Sequence, residues 1–145
     1  MKHKGSLSEY SQERTEELIS AYNAYINSCH YIRMDEACNA IVNTPCSRFW
    51  VSDKRASVVV SSILRDESVL LRMWPLRREM YQEIYRRVLS LKSEYPHLSI
   101  AKLCSIIVSQ PAPKFYLSSG TANVIICKAR KHRSSQRLKS LLKNK

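Results

Sequence analysis

Glycine is nearly absent from the 145-residue chain, which contains only two. Tight turns between strands usually require glycine, so this scarcity favours helices. No stretch approaches the roughly 18 consecutive apolar residues of a membrane-spanning helix. The polar N-terminal residues lack the apolar segment of a secretion signal. We therefore expect a mainly α-helical protein with no membrane partner, located in the cytoplasm.

Residue patterns typical of enzymes are also missing. The four histidines are scattered, and neither a nucleophile elbow nor a phosphate-binding loop occurs. The five cysteines form no Cys-x-x-Cys pair, which argues against a zinc site. Cys38 and Cys104 instead fall on apolar faces of expected helices, as small buried residues. We expect a protein that is not an enzyme and binds no metal, cofactor or small-molecule substrate.

Positive charge is the most prominent feature that is present. The net charge is +12, and it is unevenly distributed. Residues 1–44 carry four Lys/Arg against six Asp/Glu, whereas residues 45–145 carry twenty against six. Lys and Arg that neutralise phosphates release condensed counterions, so a polyanion is the expected partner. A basic surface that meets an acidic protein, or only maintains solubility, is the alternative.

Internal repetition is the second prominent feature, because the chain matches itself at an offset of 66 residues without a gap. Identical pairs include Cys38/Cys104, Pro45/Pro111 and Phe49/Phe115. We expect two tandem copies of one three-helix unit, produced by internal duplication. The expected segments are a flexible N-terminus (1–8), repeat unit 1 (9–65), a packed linker (66–76), repeat unit 2 (77–131) and a basic C-terminal tail (132–145).

Each copy contains the same three expected helices. A long first helix has Leu18 and Tyr22 at helical spacing, with Ile84 and Val88 in copy two. The short second helix repeats one apolar pattern in both copies. The apolar positions of this helix are Met34, Ala37, Cys38, Ile41 and Val42 in copy one, and Ile100, Leu103, Cys104, Ile107 and Val108 in copy two. Pro75 precedes the long helix of copy two, and Pro96 lies just beyond its end.

The third helix of each copy is expected to begin after a capping serine, Ser52 or Ser118. The inward positions would be Ala56, Val59, Val60 and Ile63, matched by Ala122, Ile125, Ile126 and Ala129. The β-branched runs at 58–60 and 124–126 leave a strand open as an alternative. The connections around Phe49 and Phe115 could each form a short strand, paired between the copies.

The linker between the copies is rich in apolar side chains. Leu70, Leu71, Met73 and Trp74 are therefore expected to pack. The first helix of copy two also carries more positive charge than that of copy one. We therefore expect copy two to supply most of the affinity for a polyanion.

The order of a long helix, a short helix and a third basic helix resembles that of helix-turn-helix DNA-binding proteins. The connection before the third helix is about twice as long in this chain as the tight turn of three or four residues in those proteins. The resemblance implies that the third helices read DNA, helped by the basic-aromatic connections and the basic tail. Trp50 and Tyr116 would stack on bases or else bury the seam between the copies. The candidate nucleic-acid-binding residues are Arg48, Trp50, Lys54, Arg55, Arg65, Lys114, Tyr116, Thr121, Asn123, Lys128, Arg130, Lys131 and Arg133.

These features together predict a nucleic-acid-binding protein, with double-stranded DNA favoured over RNA. The expected role is that of a regulator or accessory factor of a mobile element or phage, in a bacterial setting. The alternative is a protein-interaction or structural assembly module with a basic surface.

Overall fold

The computed structural model describes residues 6–29 and 32–143, and within these ranges the secondary structure is helical, without a named strand. The expected mainly α-helical fold is confirmed, including helix rather than strand at 58–60 and 124–126. Residues 1–5 of the expected flexible N-terminus and residues 144–145 of the tail lie outside the described residues. The six α-helices of the described part are α1 (Ser6–Asn27), α2 (Met34–Val42), α3 (Asp53–Arg65), α4 (Pro75–Glu94), α5 (Ile100–Val108) and α6 (Ser119–Lys143), and a 3₁₀ helix (Glu67–Arg72) follows α3.

The helix starts follow local chemistry. The Ser52 hydroxyl accepts a hydrogen bond from the backbone N–H of Arg55 at 3.0 Å, which satisfies an otherwise unpaired donor in the first turn of α3. The Ser118 hydroxyl accepts from the backbone N–H of Thr121 at 3.1 Å at the start of α6. Pro75 is the first residue of α4, where its missing N–H costs nothing. Both predicted serine caps are confirmed.

The short helices α2 and α5 have the same length and the same buried face. Each contains nine residues, and their first and last residues are separated by the same 66 positions. Met34 and Ile100, which begin the two apolar patterns, are only half-buried. The other four positions of each pattern are buried, namely Ala37, Cys38, Ile41 and Val42 in α2, and Leu103, Cys104, Ile107 and Val108 in α5. The periodicity therefore predicted these buried residues correctly.

Two compact units divide the chain. One is built mainly from Asn43–Tyr116 and contains α3, α4 and α5. The other is built mainly from Gln12–Val42 and Leu117–Lys145, and it contains most of α1 with α2 and α6. The units therefore combine helices from both halves of the sequence and do not follow the expected boundaries of repeat units 1 and 2.

Packing partners explain this division. Helix α3 packs against α4 and α5, whereas α2 packs against α6. Before α3, the backbone of Cys46 exchanges two hydrogen bonds of 3.0 Å with Ala112, and the Phe49 N–H donates to the carbonyl of Val108 at 3.0 Å. This antiparallel bridge holds the connection before α3 against the connection after α5. The third helix of the first half is thereby placed on the first two helices of the second half. The paired connections expected around Phe49 and Phe115 are thus present as a single bridge.

The linker is less buried than expected. The side chains of Leu71 and Trp74 are 73% and 83% exposed, so the prediction that they pack is wrong. The guanidinium of Arg78 instead fixes this segment through its backbone, since it donates to the carbonyls of Leu70, Leu71 and Met73 at 2.9–3.3 Å. Backbone hydrogen bonds of this kind order the segment without burial of its side chains.

The basic tail is part of a helix. Helix α6 continues through Lys143, twelve residues past the expected end of repeat unit 2 at residue 131. Its buried side chains, Ala122 and Ile126, are confined to the first third of the helix, and all residues from Arg130 to Lys143 are exposed. The second part of α6 is therefore available for contacts outside the chain.

Candidate nucleic-acid interface

Four aromatic side chains of the two connections form an aromatic cluster in the α3–α4–α5 unit. The rings of Phe49 and Tyr116 are stacked with centroids 6.1 Å apart, and those of Trp50 and Phe115 are stacked at 6.5 Å. Trp50 is only 8% exposed and Tyr116 is half-buried. These two candidate residues therefore pack inside the unit, so neither presents a free ring face to a base.

The backbone of Tyr116 supports the same conclusion. Its φ angle is 57°, in the left-handed region that non-glycine residues seldom adopt. Such a conformation persists only where the surroundings determine it, and stacking on Phe49 supplies that constraint here. Burial, followed by the negative charges of Glu83 and Glu79, raises the pKa of Tyr116 to about 12. Tyr116 is thus a neutral packing residue.

The two basic residues next to the aromatic cluster are also engaged within the unit. The Arg48 guanidinium donates to the carbonyls of Phe49 and Val51 at 3.0 and 3.1 Å, and it lies 3.8 Å from the ring centroid of Tyr10. The Lys114 ammonium forms an ion pair with the Glu79 carboxylate. Both side chains hold the connections in place, so the sequence-based assignment of a nucleic-acid contact is not supported for either.

Two basic side chains of α4, Arg86 and Arg87, are also paired within the unit. The guanidinium groups of Arg86 and Arg87 both pair with the Glu83 carboxylate, at 2.6 and 2.7 Å. Hydrogen bonds from Arg86 are the main cause of a Glu83 pKa below its ordinary value. Arg87 also donates to the Gln110 side chain and the Pro111 carbonyl. Arg86 and Arg87 therefore add less free positive charge than the sequence suggested, whereas Arg77 is exposed and lies 5.4 Å from the ring centroid of Tyr81.

On α3, the candidate residues Lys54, Arg55 and Arg65 are exposed. Arg65 makes a 3.4 Å contact with the Ser62 hydroxyl, and the positive charge of Arg55 acts against the rise that burial causes in the pKa of Tyr81. The buried face of the helix is the predicted one, comprising Ala56, Val59, Val60 and Ile63. Lys54 and Arg65 therefore point away from the core at opposite ends of the helix and remain candidates.

The candidate residues at the start of α6 have local partners. The Thr121 hydroxyl lies 2.9 Å from that of Ser118, and the Asn123 amide oxygen accepts from the Cys127 thiol at 3.2 Å. Thr121 is exposed and Asn123 is half-buried. Each of these hydrogen bonds uses one acceptor oxygen of the residue concerned.

The basic residues farther along α6 differ from those of the connections and from Arg86 and Arg87 of α4. No acidic residue follows Glu94 in the sequence, and within the described residues no carboxylate pairs with a side chain of α6. Seven exposed Lys/Arg side chains therefore lie along this part of α6 without an acidic partner among the described residues. They are Lys128, Arg130, Lys131, Arg133, Arg137, Lys139 and Lys143.

A cleft between α1 and α6 gives part of this surface a defined shape. It encloses about 210 Å³ and is bordered by Ile19, Tyr22, Asn23, Arg130, Arg133, Ser134 and Arg137. The Arg130 guanidinium lies 5.7 Å from the ring centroid of Tyr22 and 3.4 Å from its hydroxyl. We call this feature the arginine cleft.

Sequence reasoning missed Arg137 and the α1 side of the arginine cleft. The three arginines of α6 are spaced i, i+3 and i+7, which places them within roughly 60° of one helix face. That spacing signalled a shared face if the helix was assumed to continue past residue 131. Tyr22 and Asn23 carried no such signal, because only the packing of α1 in this unit brings them to α6.

No protein-family profile, curated protein or solved structure matches this chain. None of the helices described has the length and apolar character required to cross a bilayer. In the described part of the chain, no three His, Cys, Asp or Glu side chains lie close enough together to hold a metal ion. The thiol of Cys104 is buried, and burial raises its pKa to about 11, so it is protonated at neutral pH.

Proposed function

We propose that this protein binds nucleic acid, with double-stranded DNA as the preferred form, and that α6 is the principal binding element. The observation that carries the proposal is that, among the described residues, no carboxylate pairs with the basic side chains of α6. Arg86, Arg87 and Lys114 are paired within their unit, whereas α6 has seven exposed cations and no acidic residue.

The shape of α6 supports a duplex as the ligand. The exposed part of α6, from Arg130 to Lys143, is about 21 Å long, which corresponds to roughly six base pairs of duplex. An α-helix fits the major groove, and Lys and Arg side chains reach phosphates on its walls. Burial of Trp50 and stacking of Tyr116 on Phe49 engage the two aromatic rings that most favoured single strands. The exposed ends of α3 at Lys54 and Arg65 would add weaker contacts.

A charge-neutralising pair of variants tests the role of α6. The test protein is Lys128→Gln/Lys131→Gln, and the matched control is Arg72→Gln/Lys102→Gln, which removes two exposed charges from the other unit. Fluorescence anisotropy with a labelled random-sequence duplex at low salt is the measurement. We expect the test protein to lose about tenfold or more in affinity, since two phosphate contacts disappear.

The control variant should bind nearly as well as the wild type. Equal losses in the two variants would mean that only net charge matters, and the assignment of binding to α6 would then be wrong. Circular dichroism melts of both proteins verify that neither substitution unfolds the chain.

A protein-interaction or assembly module is the second candidate, favoured by a different observation. Trp74 and Leu71 are 83% and 73% exposed beside the 3₁₀ helix, and exposed apolar residues of this size often mark a docking site. That function predicts a stable oligomer that is lost in Trp74→Ser/Leu71→Ser and retained in the α6 variant. Sedimentation velocity of the three proteins distinguishes the two candidates.

A further inference from the structure

The charged side chains that border the arginine cleft are all positive. Its border includes three guanidinium groups and no carboxylate. Like charges on one helix face repel each other, and salt only partly screens that repulsion at the surface. An anion that occupies the space between the positive charges reduces this repulsion.

The other polar groups that border the cleft also suit an anion with several oxygens. The Tyr22 hydroxyl accepts from Arg130 at 3.4 Å, which leaves its own proton available for donation. The Asn23 amide and the Ser134 hydroxyl also border the cleft and carry donors. Tyr22 itself is 6% exposed, so the ring forms a firm wall and does not serve as a stacking platform.

Arginine, rather than lysine, borders this cleft. The planar guanidinium presents parallel N–H groups that match two oxygens of one phosphate. The three lysines of α6 before its last turn, Lys128, Lys131 and Lys139, do not border the cleft. Two kinds of basic side chain therefore occupy different faces of the same helix.

We propose that the arginine cleft is a phosphate-binding site in which Arg133 and Arg137 form bidentate contacts with the backbone of the nucleic acid. Arg130, held against Tyr22, positions the mouth of the site. This inference rests on the proposed function and adds to it the site and the type of contact. From Arg130 to Arg137 the helix rises about 10 Å, so the cleft spans two or three successive phosphates of one strand at about 3.4 Å of duplex axis each.

Substitutions that keep the charge test the bidentate contact. The test protein is Arg133→Lys/Arg137→Lys, and the matched control is Arg72→Lys/Arg77→Lys, which changes two exposed arginines of the other unit. We expect the test protein to lose about tenfold in affinity for a labelled duplex, because each lysine makes one fewer charge-assisted hydrogen bond. The control should lose nothing. Unchanged affinity in the test protein would overturn the proposal.

A direct probe separates this inference from the proposed function. The Nε–Hε resonances of Arg133 and Arg137, assigned from the single Lys variants, are followed by NMR during titration with the duplex and, separately, with inorganic tripolyphosphate. We expect both ligands to shift these two resonances more than that of Arg72, which serves as the internal reference.

Each result has a distinct meaning. If the duplex binds without shifting the two resonances, the proposed function stands and the arginine cleft is not its site. If tripolyphosphate shifts them but no nucleic acid binds, the cleft recognises phosphate groups from another source and the proposed function is wrong. If neither ligand shifts them and neither binds, both proposals fail.

Discussion

The combination of helices from both halves predicts that neither half folds alone. The chain can be divided after Asp66 into fragments 1–66 and 67–145. Fragment 67–145 then lacks α3, whose side chains Val59, Val60 and Ile63 are at most 9% exposed in the α3–α4–α5 unit. Burial of one such side chain contributes about 1.5–3 kcal/mol, so three contribute about 5–9 kcal/mol.

That amount is comparable to the whole stability of a typical domain, about 5–15 kcal/mol. The fragment should therefore lose cooperative unfolding. Fragment 1–66 lacks α6, whose Ala122 and Ile126 are fully buried in the other unit. We expect an equimolar mixture of the two fragments to recover a helical complex that neither fragment forms alone.

Circular dichroism melts and light scattering after size-exclusion chromatography measure this outcome for each fragment and for their mixture. The predicted result is a 1:1 complex with one cooperative transition and no such transition for either fragment. A monomeric fragment 67–145 that melts cooperatively near the temperature of the intact chain would refute the reasoning. It would show that α4 and α5 complete a unit with their own α6.

Three further predictions concern single side chains. In Trp74→Phe the remaining Trp50 is 8% exposed, so its fluorescence should be blue-shifted and poorly quenched by iodide. In Trp50→Phe the remaining Trp74 is 83% exposed, so its fluorescence should be red-shifted and readily quenched. Similar quenching in the two variants would contradict this. Hydrogen bonds from Arg86 lower the pKa of Glu83 in the folded protein. The ionised Glu83 carboxylate therefore stabilises the fold fully above the ordinary glutamate pKa of about 4.3, and this stabilisation is lost as the pH falls through the lowered pKa of the folded state. Melting temperatures between pH 7 and 2 should therefore depend less steeply on pH in Glu83→Gln, and an unchanged dependence would exclude this role. Ser52→Ala should lower the free energy of unfolding in urea by about 1 kcal/mol through loss of the helix cap, and no measurable change would show that the cap is not needed.

The helices and their buried faces could be predicted from the sequence because the information is local. The apolar pattern of α5 repeats that of α2 position for position, and both buried faces agree with it. The capping role of Ser52 likewise depends only on residues within the next turn.

The pairing of helices could not be predicted in this way. The two third helices present equivalent inward residues, since Ala56 corresponds to Ala122 and Val60 to Ile126, and all four are buried. The apolar periodicity alone is therefore compatible with packing of either third helix, α3 or α6, against the preceding helices of either copy. The backbone bridge between Cys46 and Ala112 decides the choice, and backbone hydrogen bonds leave no mark in the pattern of side chains.

Only the positive charge of the candidate interface could be predicted from the sequence. The sequence correctly indicates that the C-terminal residues are basic and lack acidic neighbours. It does not reveal that Arg48 is satisfied by backbone carbonyls or that Lys114 pairs with Glu79, 35 positions earlier. Such partners are set by tertiary packing, which separates committed basic residues from available ones.

The most direct test of the central claim is the affinity of the wild-type protein for a random-sequence duplex across a series of salt concentrations. The account predicts micromolar or tighter binding at low salt. It also predicts that the logarithm of the association constant falls with the logarithm of salt at a slope of about −3 to −4, as expected for about four phosphate contacts, made by Lys128, Lys131, Arg133 and Arg137 of α6. Absence of binding at low salt would contradict the account, as would an affinity that does not change with salt.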